Sequence, residues 1–369
     1  MPSPLPPQED GPRPPGRIRT LIVDDSALMR QLLTALLSED ESIEVVGTAS
    51  DPYVAREKIK RLNPDVLTLD VDMPGMDGIK FLENLMRLRP MPVIMVSSLT
   101  HEGAPTTLRA LELGAVDFVA KPRGNPRETI VEIAEELRSK IHAAAHQRIG
   151  QVRTTPAAQL TDFPPRSMHT LRCERGVIVI GASAGGTQAL GEILPRLPAR
   201  MPPIVIVQHM PPPFTGYFAE CLNQRCALQV KEARDGDVLV PGQVYIAPGG
   251  YQTEVAAKTS RYTLHIYDGD FVNLHKPSVD VLFDSTARVV GPNALGVILT
   301  GMGSDGAVGM GAMRRRGAWT VAQDEQTSLV FGMPERAIRE GAVREILPLE
   351  RIAEKLVEWS GISDSIAPQ

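Results

Sequence analysis

The sequence predicts an α/β protein made of two doubly wound domains, and two observations support this prediction. From Ile18 onward, short β-branched runs alternate with helical patterns, and five such alternations fall within about 125 residues. The alternation fades after Ala145 and starts again at Gly176. Strands that alternate with helices are typical of a parallel sheet covered on both faces. A chain of 369 residues is long enough for two domains of this kind.

The elements of the first half follow from their periodicity. The strand-like runs are IRTLIV, VVGTA, DVLTLDV, PVIMVSS and AVDFVA. The helical patterns between them are ALMRQLLTALL, VAREKIKRL, IKFLENLMRL and TTLRALEL. A fifth helix is predicted to begin at Asn125–Pro126, because an N-cap residue, a proline at the first position and Glu128 at the third form a helix start. We assign residues 18–142 to this five-stranded parallel domain.

The second half, residues 176–362, is predicted to be a modified doubly wound α/β domain. Its strand-like runs are GVIVIGAS, IVIVQHM, VYIAP, YTLHIYDG, ALGVILTG and WTVAQ. Helices are expected through Leu197, near residues 278–290 and through Arg316. The stretch Gln243–Tyr267 resembles a hairpin and is expected to add antiparallel strands.

Two segments lack periodicity. Residues 1–17 hold seven prolines within their first 15 positions and no apolar core, which predicts a disordered leader and not a signal peptide. Residues 143–175 are polar and proline-containing, which predicts an interdomain linker.

Composition excludes several classes of function. The formal net charge of −5, without a concentrated basic face, argues against nucleic-acid binding. Three irregularly spaced cysteines predict neither a disulfide framework nor a zinc site. No apolar stretch approaches the roughly 18 residues of a membrane span, so the protein is not expected to be membrane-embedded. We therefore expect the cytoplasm.

Five polar side chains of the first half follow predicted strands. Asp24 and Asp25 end the first strand, Asp70 the third, Ser97 the fourth and Lys121 the fifth. Because the carboxyl ends of parallel strands share one edge of the sheet, these groups are expected to converge. Three carboxylates there would repel one another unless a hard cation such as Mg²⁺ lay between them. Taken singly, each aspartate has the alternative of a turn or helix-cap role.

The motifs VDDS, LTLDVDMPGMDG, MVSS and FVAKP, within residues 18–124, resemble those of response-regulator receiver domains. The resemblance implies that Asp70 is phosphorylated by a histidine kinase. It also implies that Asp24, Asp25 and Asp70, with the backbone carbonyl of Asp72, hold Mg²⁺.

The same resemblance implies how phosphorylation is sensed. Ser97 and Phe118 would be the switch pair, and Lys121 would act with them beside the phosphorylation site. The surface of the receiver domain is therefore expected to repack when the phosphoryl group is added.

Three strand ends of the second half carry a different set of residue types. Ser183 lies in the Gly-rich turn GASAGG, His209 ends IVIVQHM, and Asp305 lies in the loop after LGVILTG. A serine nucleophile needs a base, and an imidazole base needs a carboxylate to orient it. The combination therefore favours nucleophilic catalysis. The chain order Ser–His–Asp and the absence of GxSxG argue against a standard α/β-hydrolase.

Alternatives to this interpretation exist for each motif. GASAGG could bind phosphate, although it is neither GxGxxG nor a P-loop. His209 alone could be structural, and Asp305 alone could cap a helix. The whole domain could also be a protein-binding output domain in which Ser183 is silent, a nucleotide-binding domain, or a DNA-binding output domain.

The motifs GASAGGT, QHMPPPFT, YIAPGG, KPSVDVLF, LGVILTGMGSDG and FGMPERAI resemble the catalytic domain of chemotaxis protein-glutamate methylesterases. The resemblance implies that Ser183 is the nucleophile, His209 the general base and Asp305 its orienting carboxylate. The backbone N–H of Met302 would contribute to the oxyanion hole. Many members have threonine where this chain has Ala184, so only a backbone role is open there.

This second resemblance also implies the activity. The enzyme would be activated by phosphorylation, and it would hydrolyse glutamyl methyl esters and deamidate glutamines on methyl-accepting chemoreceptors. It would release methanol or ammonia and need no cofactor for the ester reaction.

Overall fold

The computed structural model describes residues 16–71, 73, 78–97, 104–121, 126–145, 176–258 and 261–361. The predicted leader lies outside these residues except for its last two positions. The predicted linker lies outside them after residue 145, and so does Asn125, the expected cap of the fifth helix.

Within the described residues, the first domain is a five-stranded sheet in the order β2-β1-β3-β4-β5, with every neighbouring pair parallel. This confirms the predicted doubly wound fold. The strands are β1 (Ile18–Val23), β2 (Ile43–Ala49), β3 (Val66–Asp70), β4 (Val93–Ser97) and β5 (Asp117–Ala120). The helices are α1 (Ala27–Ser38), α2 (Pro52–Leu62), α3 (Gly78–Leu88), α4 (Ala104–Glu112) and α5 (Pro126–Ala145).

The turn after β1 is fixed by a helix cap. The Ser26 hydroxyl accepts a hydrogen bond from the Met29 N–H at 3.3 Å. The Ser26 N–H donates to Asp24 Oδ1 at 2.8 Å. Because Ser26 starts α1 and also binds the carboxylate, the start of the helix holds Asp24 at the carboxyl edge of the sheet.

The second domain contains a seven-stranded parallel sheet in the order β14-β13-β12-β6-β7-β9-β8, as far as the described residues extend. A separate antiparallel pair is formed by β10 and β11. The strands are β6 (Val177–Ala182), β7 (Ile204–Gln208), β8 (Gln229–Glu232), β9 (Gln243–Ile246), β10 (Gln252–Lys258), β11 (Arg261–Tyr267), β12 (Ala294–Ile298), β13 (Trp319–Gln323) and β14 (Glu345–Leu347).

The three helices predicted in the second domain are found close to their expected positions, and three further helices, at Phe214–Asn223, Met333–Arg339 and Leu349–Ser360, were not predicted. The helix expected through Leu197 ends at Ile193 and continues as the 3₁₀ turn Leu194–Arg196, where Pro195 lacks the N–H that a longer α-helix would use. No described helix is both long and apolar enough to cross a membrane. The helices are α6 (Gly186–Ile193), α7 (Phe214–Asn223), α8 (Val279–Val289), α9 (Ala307–Arg315), α10 (Met333–Arg339) and α11 (Leu349–Ser360).

The predicted hairpin over Gln243–Tyr267 is confirmed only in part. β10 and β11 form it, pairing Gln252 with Tyr267 and Lys258 with Arg261. In contrast, β9 belongs to the parallel sheet between β7 and β8.

The three central strands β12, β6 and β7 are buried along their whole length. Helices cover both faces of such a sheet, so the strands are continuous apolar runs and do not alternate. The chain starts at β6, proceeds to β7 on one side and returns to β12 on the other. Ligands of open α/β sheets bind where the strand order reverses, which places the expected site at the carboxyl end of β6.

The two domains touch along α4 and β5 of the first domain. The Gln188 side-chain amide on α6 donates to the backbone carbonyls of Leu111 and Ala115, at 3.1 and 3.2 Å. The rings of Phe118 and Phe214 stack with their centroids 4.6 Å apart. The residue that begins the helix Phe214–Asn223 and the second residue of β5 are therefore in direct contact.

Candidate functional site

Three carboxylates meet at the edge of the first sheet. Asp24, Asp25 and Asp70 each offer an oxygen, and these oxygens all lie within 4.8 Å of one another. Asp24 and Asp70 are fully buried, whereas Asp25 is exposed. Burial raises the pKa of Asp24 above its ordinary value, against the opposing effect of Lys121. A bound cation would offset this clustering of negative charge.

The donor set fits a hard divalent cation, because three carboxylate oxygens lie close enough to share one ion. The three side chains expected to hold Mg²⁺ are thus brought together. The fourth expected ligand, the backbone carbonyl of Asp72, lies outside the described residues.

Lys121 lies at the same edge. Its Nζ is 2.6 Å from Asp70 Oδ2 and 3.4 Å from Asp24 Oδ2. Burial by itself lowers the pKa of Lys121, but the hydrogen bond and charge of Asp70 raise it above its ordinary value. The ammonium group therefore stays charged beside Asp70.

The two expected switch residues have different surroundings. Ser97 is fully buried, and its hydroxyl accepts a hydrogen bond from the Thr107 hydroxyl at 2.7 Å. Phe118 is also buried, against Phe214 of the second domain. One residue thus lies inside the first domain near Asp70, and the other forms part of the interdomain contact.

Ser183 follows β6 on a tight Gly-rich turn. Its N–H donates to the Thr300 carbonyl at 3.1 Å, and its carbonyl accepts from the Gln208 side-chain amide at 2.9 Å. Gly185 has φ +77°, where glycine is favoured. A Cβ at position 186 would lie only 2.1 Å from Gln208 Oε1, so this position has no room for a side chain.

His209 and Asp305 are joined directly, although they lie 96 residues apart in the chain. His209 Nε2 is 2.8 Å from Asp305 Oδ2. The His209 N–H donates to the Ala182 carbonyl at 3.0 Å, which ties this residue to the end of β6 beside Ser183. The second ring nitrogen, Nδ1, is buried and has no hydrogen-bond partner among the described residues. Nδ1 is consequently the nitrogen available to accept a proton.

Asp305 is fully buried and held by several donors. Burial by itself raises its pKa, but the hydrogen bond and charge of His209, followed by the hydrogen bonds from Asn273 and Ser278, bring the pKa well below the ordinary value. Ser278 Oγ donates to Asp305 Oδ1 at 2.7 Å, and the Val279 N–H donates to Oδ2 at 2.6 Å. The carboxylate is therefore permanently ionised and fixed in orientation.

No hydrogen bond joins the Ser183 hydroxyl to His209 among the described residues in this conformation. The three strand ends nevertheless bring Ser183, His209 and Asp305 to one edge, as the sequence predicts. In proteins without substrate, catalytic hydrogen bonds commonly form only when the reactants are in place.

The sequence interpretation missed His275. Its ring stacks on His209 with centroids 3.6 Å apart and an interplanar angle of 14°. Burial, followed by the charge of His209, lowers the pKa of His275 to about 3, so the ring is neutral near pH 7. The signal available in the sequence was a histidine directly before KPSVDVLF, a segment that leads into α8.

The loop after β12 packs against Ser183. A Cβ at Gly301 would lie 2.8 Å from Ser183 Cβ, so the backbone there runs directly against the serine. Met302, expected to supply an oxyanion N–H, is the next residue. Its sulfur accepts a hydrogen bond from Ser139 Oγ of α5 at 2.7 Å. The first domain thus reaches the rim of the Ser183 site.

Fold and sites together define a response regulator whose output domain is an α/β domain with serine, histidine and aspartate at adjacent strand ends. Family models match accordingly: the response regulator receiver domain over residues 20–134 and CheB methylesterase over residues 178–356.

Relatives cover almost the whole chain. A protein-glutamate methylesterase/protein-glutamine glutaminase 1 of Xanthomonas campestris pv. campestris is 52% identical over 348 residues, 93% of this chain and 97% of that protein. The Salmonella typhimurium protein-glutamate methylesterase/protein-glutamine glutaminase is 52% identical over 341 residues, 92% and 96% of the two chains. The chain belongs to the protein-glutamate methylesterase/protein-glutamine glutaminase family.

A solved structure matches the second domain. The crystal structure of the Thermotoga maritima CheB methylesterase catalytic domain is 42% identical, with a TM-score of 0.49. The match covers 50% of this chain and 97% of that one.

Proposed function

We propose that this protein hydrolyses glutamyl γ-methyl esters on methyl-accepting chemoreceptors and deamidates specific glutamines on them, under the control of phosphorylation at Asp70. The observation that carries the proposal is the 2.8 Å bond between His209 and Asp305 at the strand ends that flank Ser183. This arrangement occurs in a chain 52% identical to proteins named for both activities.

The reaction is acyl transfer. His209 Nδ1 removes the Ser183 proton, and Oγ attacks the γ-carbonyl carbon of the methylglutamyl side chain. The tetrahedral intermediate collapses, the C–OCH₃ bond breaks, and methanol leaves with the proton from His209. Water, deprotonated by the same imidazole, then hydrolyses the glutamyl ester of Ser183. Asp305 remains ionised and stabilises the imidazolium ion formed in each half-reaction.

Protein groups would stabilise the developing negative charge in this scheme. The N–H of Met302 would donate to the oxyanion, since the Gly301 backbone lies against Ser183. His275 would keep the His209 ring in its plane by stacking on it, and its neutral state avoids a second positive charge beside the imidazolium ion.

Regulation is assigned to the acidic cluster of the first domain. A histidine kinase would donate a phosphoryl group to Asp70. Asp24, Asp25 and Asp70 would hold Mg²⁺, together with the carbonyl of Asp72, and the bound ion would offset phosphoryl charge. Lys121 would pair with the phosphoryl oxygens in place of the Asp70 carboxylate. We place the protein in the cytoplasm, where a kinase has access to it.

The function is tested by methanol release. Receptor-containing membranes carrying radioactive methyl esters are incubated with the protein, and volatile methanol is counted over time. We expect release that depends on protein concentration. Membranes that keep their label at high concentrations of correctly folded, phosphorylated protein would refute the esterase activity.

Asp70→Asn is expected to abolish activation by a small phosphodonor such as acetyl phosphate. The amide keeps the shape of the carboxyl group but cannot attack phosphorus. The methanol-release rates with and without phosphodonor should become equal, whereas those of the unaltered protein should differ about 30–150-fold. Glu57→Gln, which removes a charge from an exposed position on α2, serves as the control and should retain activation. Normal acid-labile phosphorylation of Asp70→Asn would place the acceptor elsewhere.

A further inference from the structure

An exposed turn lies next to the Ser183 site. Val272 and His275 exchange backbone hydrogen bonds of 3.1 and 2.9 Å and form an antiparallel bridge. The two residues between them, Asn273 and Leu274, have φ of 51° and 66°. Positive φ at both central positions defines a type I′ turn.

Leucine is an unfavourable residue for the second central position. Type I′ turns strongly prefer Asn-Gly, because a side chain in the left-handed region meets its own backbone. Leu274 is 87% exposed, so no burial within the protein offsets this cost. Phe271, on the same segment, is 71% exposed. The Phe271 ring lies under the Lys276 ammonium, 5.7 Å from the ring centroid, which accounts for part of its position. Leu274 has both the unfavourable backbone conformation and the exposure, so its side chain is the one that stability of the free protein does not explain.

The turn is tied to the proposed catalytic residues. The Asn273 side-chain amide donates to Asp305 Oδ1 and to Asp280 Oδ2, each at 2.8 Å. The residue after Leu274 is His275, whose ring stacks on His209. A side chain of another protein that contacts Leu274 is consequently held at a fixed position relative to His209 and Asp305.

The first domain leaves this turn exposed. Its contacts with the second domain include Met302, Gln188 and Phe214, and the ion pair between Glu112 and Arg225. Leu274 nevertheless stays 87% exposed with that domain in place. The side chains of Phe271 and Leu274 are therefore accessible to a macromolecule even with the first domain in place.

We infer that Phe271 and Leu274 form a docking surface for the protein substrate, contacting an apolar side chain on the segment that carries the methylglutamyl residue. This inference rests on the proposed function and adds how the substrate is recognised. The occupant is the substrate segment because the surface is continuous with the catalytic residues through Asn273 and His275. An apolar contact next to the reacting ester would contribute binding energy that a small ester cannot use.

The test is Leu274→Asn in the full chain. Asparagine tolerates the left-handed region better than leucine, so the variant should fold at least as well. We expect its KM for radiomethylated receptor membranes to rise about 10-fold, as for loss of one buried leucine contact. Ser183 labelling by a small fluorophosphonate should stay within about twofold, because it needs no docking. Leu88→Asn, at a leucine 73% exposed on α3, is the matched control and should change neither value.

The outcomes distinguish the docking surface from the proposed esterase function. A raised KM with normal labelling supports the docking surface. An unchanged KM for Leu274→Asn overturns it, and so does an equal loss of labelling and methanol release, which would make the turn part of the reacting site. Failure of the unaltered protein to release methanol would count against the proposed function itself.

Discussion

Ser183→Ala should lower the rate of methanol release by a factor on the order of 10⁴–10⁶, which is the usual cost of removing a triad member. The reason is chemical, since no covalent intermediate can form without the hydroxyl oxygen. The fold should persist, because the side chain leaves only a small gap at a functional turn and the β6 pairing uses backbone atoms. The measurement is a single-turnover assay on methyl-labelled receptors, with the thermal midpoint recorded in parallel.

Ser304→Ala provides a matched control for this prediction. Ser304 is exposed and lies in the loop next to Asp305, and its side chain has no role in the proposed reaction. The Ser304→Ala variant should release methanol at a rate within a few-fold of that of the unaltered protein. A folded Ser183→Ala protein that keeps more than a tenth of the activity would remove Ser183 from the role of nucleophile.

The fragment 176–369 should be about 30–150-fold faster than the unphosphorylated full-length protein, which corresponds to a shift of ~2–3 kcal/mol in the domain equilibrium. In the full chain, α5 contacts Met302 at the rim of the site, and Phe118 packs on Phe214. Removing the first domain frees this rim for a protein substrate. The second domain keeps its own parallel sheet and a separate apolar cluster. Initial rates on receptor membranes without phosphodonor give the comparison.

A substitution in the full chain tests the same idea without truncation. Gln188 donates from its amide to two backbone carbonyls of the first domain. In Gln188→Glu, a carboxylate would face these acceptors and destabilise the contact. We expect raised activity without phosphodonor, in the same direction as for the fragment. If both the fragment and the variant are folded but no faster than the unphosphorylated protein, the first domain activates or recruits and does not obstruct.

The sequence alone predicted the five-stranded sheet and the central strands of the second sheet, but not the two edge strands β8 and β14. Each central strand is a continuous apolar run, and helical spacing marks the segments between strands, so periodicity within about ten residues identified the elements. Gln243–Tyr267 shows the limit of this approach. A short strand has the same local pattern whether its partner is parallel or antiparallel, so the place of β9 in the parallel sheet was not predicted.

The sequence also predicted which polar side chains lie together at the carboxyl edge of each sheet. In parallel sheets, chain direction decides where a strand-end residue lies, so Asp24, Asp70 and Lys121 could be grouped before any distance was known. The 2.6 Å contact between Lys121 and Asp70 agrees with that grouping. The same rule grouped Ser183, His209 and Asp305.

Only the tertiary structure decided the details that set the chemistry. It determined that His209 uses Nε2 toward Asp305, that His275 stacks on His209, and that Leu274 stands exposed in a left-handed turn. It also placed the first domain against Met302. The contacts of His209, His275 and Met302 join segments far apart in the chain. Such contacts leave no periodic signal in either segment, because each residue would look the same locally with or without its partner.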